Sequence, residues 1–294
     1  MKKYLATLFL ISIAFGAHAQ LLWKVSGNEL EKPSYIFGTH HLAPFSIMDS
    51  IPGIMAAFGE TTQVVGELLM ADMQTPEAVQ AMQKLMMIPN DTTLQTLLTP
   101  DEYEMVNTFT KENLGLNLDM APKLKPGFIS NNVVVVLCAK NMPGFNPQQQ
   151  LDAFFQNLGK ETGKKLGALE TMEFQLNLLF NSSSLQRQAE ILVCQLSDVE
   201  KTIDSAMKIT DAYMTQDLDK IYELSKEKEG TKCDMQPEEF NALIDNRNIA
   251  WMDKLPEMIK QESTFVVVGA AHLPGENGVL NLLKNAGYTV EGVK

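Results

Sequence analysis

Three of the four histidines in this 294-residue chain fall in two short words of one form. "GTHHL" (38–42) carries His40 and His41, and "GAAHL" (269–273) carries His272. Both read G-x-x-H-L, with Gly38 and Gly269 leading, and each follows an apolar run, "YIF" or "FVVV". A third run, "QVVGELLM", sets Glu67 just past two valines and a glycine. Two imidazoles and one carboxylate make an open ligand set for a divalent metal, leaving positions for water and substrate. Such an ion lowers the pKa of bound water towards about 7 and polarises a carbonyl. Hydrolysis is the chemistry this equipment suits, with Glu67 as third ligand or as general base. Mixed imidazole and carboxylate donors admit Zn, Mn, Co or Fe. His40 would face away from His41 if the strand continues, as a supporting residue or a bystander. A hydrogen-bonded structural histidine at a strand end is the competing reading of each position.

These groups need a sheet to hold them. In a parallel sheet, apolar runs end on one side, where ligands gather, and a glycine there lets the backbone turn sharply or approach closely. "LLWKVS" (21–26) and "SYIFGT" (34–39), separated by "GNELEKP", read as a hairpin. "TQVVGEL" (62–68), "KLGALE" (165–170), "STFVVVGA" (263–270) and "YTVEGV" (288–293) supply further strands. "GVLNLLKNAG" is a helix closed by Gly287.

The stretch between is helical in pattern. Thr-Pro pairs at 75–76 and 99–100 open helices, and "SLQRQAEILVCQL", "SDVEKTIDSAMKITDAYM", "DLDKIYELSKEKE" and "PEEFNALIDNRNIAWMDKL" continue the pattern. "NNVVVVLCA" fits a strand or a buried helix, and we assign it to a helix. The expected fold is α/β: a mostly parallel central sheet with flanking helices and a large helical insertion over roughly 70–260, within a single domain spanning 20–294.

Composition narrows the setting. "MKKYLATLFLISIAFGAHA" (1–19) has the Lys-Lys start, short apolar stretch and small residues of a secretory signal peptide cut after Ala19, too short an apolar run to span a bilayer. This predicts a periplasmic or extracellular protein with no transmembrane segment after cleavage. Losing Lys2 and Lys3 takes the net charge from −12 to −14, which with no basic cluster argues against nucleic acid as a partner. Of three cysteines, Cys138 lies in an apolar run and reads as a buried thiol, leaving Cys194 and Cys233 as the better disulfide pair. Met70, Met73, Met82, Met86 and Met87 could bind Cu(I), but their spacing reads as core filler on inner helix faces.

The two G-x-x-H words, the "VVGE" between them, "LGALETMEFQ" and the long "VVVGAAHLPGENGVLNLLKNAGYTV" together resemble the TraB/GumN family (TraB/PrgY/GumN), from about Leu22 to Val293. The resemblance implies kinship with the Tiki metalloproteases and a fold shared with erythromycin esterases (EreA-like) and haem-binding ChaN-like proteins. It matches His41, not His40, to the first motif histidine, and Glu67 to the family's acidic position. It also matches Asp152 ahead of a helix, Glu170 and Gln175 in "GALETMEFQ", and the Arg247–Asn248 pair. Arg247 would hold a substrate carboxylate or an oxyanion, or brace the site by pairing with Glu170 or Asp152. Gly66 stands where relatives carry a larger residue. The function implied is an exported metal-dependent hydrolase acting on a peptide or protein. The alternative is a non-catalytic protein that sequesters a metal, haem or peptide in the same pocket.

Overall fold

The computed structural model describes residues 20–293. The expected signal peptide lies outside the described residues. The sheet has six strands: β1 (Leu22–Ser26), β2 (Ser34–Thr39), β3 (Gln63–Gly66), β4 (Lys165–Ala168), β5 (Thr264–Gly269) and β6 (Thr289–Gly292). Their order is β4-β3-β5-β2-β1-β6. β4, β3, β5 and β2 run parallel, while β1 pairs antiparallel with both β2 and β6.

β2 and the first five residues of β5 are buried throughout, as expected of parallel strands covered on both faces. A cluster of Phe37, Phe58, Phe155 and Phe265 fills the core beneath one face, with ring centroids 4.8 to 6.5 Å apart. Phe155 comes from the helix Leu151–Glu161, which packs on β3, β4 and β5. That helix lies close because Gly159 has no side chain: a Cβ there would meet Val64 Cγ2 at 2.8 Å.

Register brings the strand ends into line. Thr39 pairs with Gly269 across β2 and β5, while Gly66 pairs with Val267 of β5 and with Ala168 of β4. The residues that follow, His40 and His41, Glu67, Glu170 and His272, therefore leave the sheet along one edge.

Helices occupy most of 70–260, but β4 enters the sheet from inside that stretch. The helices Pro100–Leu114, Pro126–Asn141 and Leu185–Ser197 enclose a second apolar core around Val106, Ile129, Val133 and Leu192. "NNVVVVLCA" lies in the Pro126–Asn141 helix. Both Thr-Pro openings form, with Thr75 and Thr99 accepting backbone N–H bonds. The methionines depart from their expected burial. Met70, Met73, Met82 and Met86 are half-buried and Met87 is 42% exposed: only Met82 lies in the Pro76–Leu85 helix, which buries only Ala78, and the rest flank it.

Cys194 and Cys233 form a disulfide with Cα atoms 5.9 Å apart, and Cys138 is a buried free thiol. Among the described residues no helix is long and apolar enough to cross a membrane.

Candidate functional site

The centre of the strand-end edge is a carboxylate pair. β3 and β4 stay hydrogen-bonded one step past their ends, Leu169 N–H to Gly66 O and Glu170 N–H to Glu67 O, each at 3.0 Å. This sets Glu67 and Glu170 side by side. Gln175, in the helix Met172–Asn181, donates its amide to both, at 3.1 Å to Glu67 Oε2 and 3.0 Å to Glu170 Oε1.

Arg247 bridges the pair. It comes from the helix Asn246–Trp251, which follows a π-helix at Asn241–Asp245, a backbone form frequent at functional sites. Its Nη2 donates to Glu67 Oε2 at 2.5 Å and also to Glu170 Oε1, and its Nε donates to Glu170 Oε2 at 3.1 Å. Trp251, four residues on and on the same helix face, lies under the guanidinium at 5.1 Å and donates Nε1–H to Glu170 Oε2. The segment leading to this helix is tied down by the disulfide. Arg187 reinforces it, clasping Glu239 through Nε and Nη2 and bonding to the Lys232 and Asp234 carbonyls.

His272 enters from a tight 3-10 turn after β5. Gly269 N–H donates to Glu67 Oε1 at 2.9 Å, so β5 anchors the acid as it delivers the histidine. Asn248 spends its amide N–H groups on two carbonyls, His272 O at 3.2 Å and Asn277 O at 2.9 Å. Its oxygen therefore faces the ring and accepts from His272 Nδ1 at 2.7 Å. That fixes the tautomer: Nδ1 carries the proton and Nε2 keeps its lone pair. Arg247 Nη1 donates to that lone pair at 3.1 Å, and Glu67 Oε1 lies 3.8 Å away.

The ionisation states agree with these bonds. Burial lowers the His272 pKa from 6.5 to about 4 against the opposing pull of Glu67, so the ring is neutral near pH 7. Burial works to raise Glu67, but the His272 and Arg247 charges and the Gly269 N–H outweigh it and bring that carboxyl down to about 2.

His41 stands across the site. Its side chain is 74% exposed, with Nδ1 3.3 Å from Gln150 Oε1 and 3.8 Å from Asp152 Oδ2. Asp152 accepts from Thr39 Oγ1 at 3.0 Å through Oδ1, while its Oδ2 is shut from solvent without a hydrogen-bond partner. Burial raises the Asp152 pKa, the His41 charge opposes that, and the nearby Glu67 charge adds to it. The two halves thus feel one another's charges: Glu67 acts on Asp152, and His41 on His272.

His40 turns to the helix Val199–Met214. Its Nε2 bonds Thr210 Oγ1 at 3.0 Å and its ring lies 5.4 Å from that of Tyr213. Burial lowers its pKa to about 4. Gly38 lies against the second motif, where a Cβ would meet Leu273 Cδ1 at 2.8 Å and Ala270 Cα at 3.1 Å. Gly66 is explained by Gln156, whose amide fills the place a side chain would take, 2.4 Å from a Cβ built there. From that place Gln156 bonds Leu68 O and Met70 N–H, holding the loop after Glu67.

The structure therefore gathers Glu67, Glu170, Gln175, Arg247, Asn248 and His272 into one network. Arg247 pairs with Glu170 and not with Asp152. His41 and Asp152 form the facing wall, and His40 is a packing residue. Among the described residues, no three His, Cys, Asp or Glu side chains stand close enough to form a ready ligand cage. The donor chemistry nevertheless fits a divalent ion. Two carboxylates, Glu67 and Glu170, share one arginine, a carboxylate oxygen of Asp152 lacks a partner, and a neutral imidazole has its Nε2 3.8 Å from Glu67. Gln150, Trp251 and Gln156 were not foreseen. Trp251 alone carried a signal, its i+4 spacing from Arg247.

The α/β fold and the two G-x-x-H words at its strand ends lie within the stretch that one family profile covers. The chain belongs to the TraB/PrgY/gumN family, whose sequence profile matches residues 21–292. It is similar to Metalloprotease TIKI1 of Xenopus tropicalis, 25% identical, with 92% of this chain and 60% of that protein covered. It is also similar to Metalloprotease TIKI2 of Danio rerio (24%; 92% and 60% covered) and Metalloprotease TIKI1 of Homo sapiens (24%; 92% and 61%). The chain thus spans about 60% of the length of these relatives. No solved structure matches it significantly, so the kinship with erythromycin esterases and ChaN-like proteins rests on the resemblance alone.

Proposed function

We propose that this protein is an exported metal-dependent peptidase. The observation that supports it most is the neutral Nε2 of His272 lying 3.8 Å from Glu67, with Arg247 against both, in a chain similar to named metalloproteases. His272, Glu67 and His41 would hold Zn, Mn, Co or Fe. A bound ion would supply a nucleophilic water at neutral pH and polarise the scissile carbonyl.

The chain's own residues do the rest. Asn248 keeps the proton on His272 Nδ1 and so leaves the Nε2 lone pair to the site, where Arg247 Nη1 now meets it. Glu67, held ionised with its pKa down at about 2, is better suited to ligation than to taking the proton of the attacking water, a task that favours a pKa near the working pH. Arg247, braced by Glu170, has both Nη1 N–H groups engaged, on Leu243 O and His272 Nε2; the second would be released to an oxyanion or a substrate carboxylate once an ion takes the Nε2 lone pair. The export reading rests on residues 1–19 and makes the periplasm or the exterior the working compartment.

The test is cleavage of a peptide library by mature protein purified without chelator, with metal content measured in the same sample. Cleavage that chelation removes, that one of the four ions restores, and that His41→Ala and His272→Ala abolish is the expected result. Inactivity with all four ions, or a Soret band in the purified protein, would overturn it in favour of sequestration.

A further inference from the structure

His41 and His272 are wired alike. In the second motif, Asn248 donates to the carbonyl of the histidine it serves and accepts from that histidine's Nδ1. In the first motif, Gln150 Nε2 donates to His41 O at 3.1 Å and to Pro147 O at 3.1 Å. With its N–H groups spent on carbonyls, the Gln150 oxygen is the end that faces the ring, 3.3 Å from Nδ1. One carboxamide therefore grips each histidine at two points, backbone carbonyl and Nδ1, and an amide oxygen can only accept.

Asp152 is the second half of the device. A buried carboxylate oxygen without a partner calls for a cause, and Oδ2 is the one buried side-chain polar atom among the described residues left in that state. Its sister oxygen is pinned by Thr39, two residues before His41. Oδ2 lies 3.8 Å from His41 Nδ1. A hydrogen bond needs an approach of roughly 1 Å more, and the exposed His41 ring has room to make it.

We infer that Gln150 and Asp152 are positioning residues that hold His41 with its proton on Nδ1 and present Nε2 to the site, as Asn248 does for His272. An Asp-backed imidazole of this kind is a stronger donor at Nε2, either to a metal or to a proton. The inference rests on the peptidase reading only for what that lone pair then does.

The experiment is nitrogen NMR of histidine-labelled, metal-free mature protein at mildly alkaline pH, where each neutral ring reports which nitrogen bears the proton. An exposed imidazole in water favours the proton on Nε2, so the expected result runs against the default. Wild-type His41 should be protonated on Nδ1, and should move to predominantly Nε2–H in Asp152→Ala and in Gln150→Leu. The His272 and His40 signals stay in place and report an intact fold. Wild-type His41 carrying its proton on Nε2 overturns the inference, as does a tautomer unchanged in both variants. If peptide cleavage is found, kcat in each variant should fall roughly 10–100-fold with KM held. An inactive wild type with His41 protonated on Nδ1 would sink the peptidase reading and leave the wiring standing.

Discussion

Arg247 Nη1 lies 3.1 Å from the Nε2 of His272, a cation donating to a lone pair while the same guanidinium bridges two carboxylates. Removing it strands Glu67 and Glu170 as adjacent negative charges in a buried place. Arg247→Ala should cost about 3–5 kcal/mol of stability, read as a lowered urea midpoint. Arg247→Lys keeps the charge without the fork and should lie between that variant and wild type. An alanine variant as stable as the parent would show that the ion-pair network contributes nothing net.

Asn248 makes three bonds, all to groups that have no alternative partner in the structure. Asn248→Ala should cost about 2–3 kcal/mol, given about 1–3 kcal/mol for each buried polar group left unpaired. Asn248→Asp retains the acceptor for Nδ1 and loses both donors, so it should recover only part of the loss. Chemical denaturation of the two variants side by side distinguishes these outcomes.

Acid sensitivity follows from His40 and His272. Both rings are depressed from 6.5 to about 4 by burial. Between those values the unfolded chain binds more protons than the folded one, so stability rises with pH across the window and is lost as pH falls through it. Each ring contributes a slope of at most about 1.4 kcal/mol per pH unit. His40→Gln keeps a donor for Thr210 without titrating, and should remove about half of that slope in the metal-free protein. Equal slopes in the two proteins would place the acid response elsewhere.

Gly66 and Gln156 should behave as one unit. Gly66→Ala pushes the Gln156 amide off Leu68 O and Met70 N–H and loosens the loop after Glu67. A loss of about 1–3 kcal/mol is expected. In a Gln156→Ala background only part of that cost should be relieved, because a Cβ would still meet the Leu68 carbonyl oxygen at 2.9 Å, and a double-mutant cycle measures the coupling.

The Cys194–Cys233 bond closes a loop across 39 positions. The chain-entropy account assigns such a loop about 4 kcal/mol. Cys194→Ser with Cys233→Ser should lower the thermal midpoint accordingly. The wild-type chain should show the same loss in reductant, while Cys138, buried elsewhere, should not matter.

Much of the frame was legible in the sequence because its signals are local. Apolar runs reaching a glycine identified the three central strands β2, β3 and β5, Thr-Pro pairs opened their helices, and the repeated G-x-x-H word placed His41 and His272 on one edge. The Arg247–Glu170 contact was one of two partners anticipated. The rest depends on tertiary placement, which no local pattern encodes. Gln148, Gln149 and Gln150 are identical letters, and only the turn before the Leu151–Glu161 helix aims one of them at His41. The methionines read as helical core by their spacing, yet only Met82 lies in a helix interior and the others fall in the turns around it, because a spacing read from sequence says nothing about where a helix starts and stops or how deep it sits. The network on Glu67 draws on partners from Gln175, 108 positions away, to Gly269, 202 positions away, a range at which only the folded chain brings partners together.

Gly38 has no side chain because the turn at Ala270–Leu273 occupies the space one would need. The two histidine words are therefore a single mechanical joint, with the bearing surface of one cut to the shape of the other. Changes at position 38 and at positions 270 and 273 should be inherited together across related chains, and grafting either word alone into a foreign sheet would transplant only half a hinge.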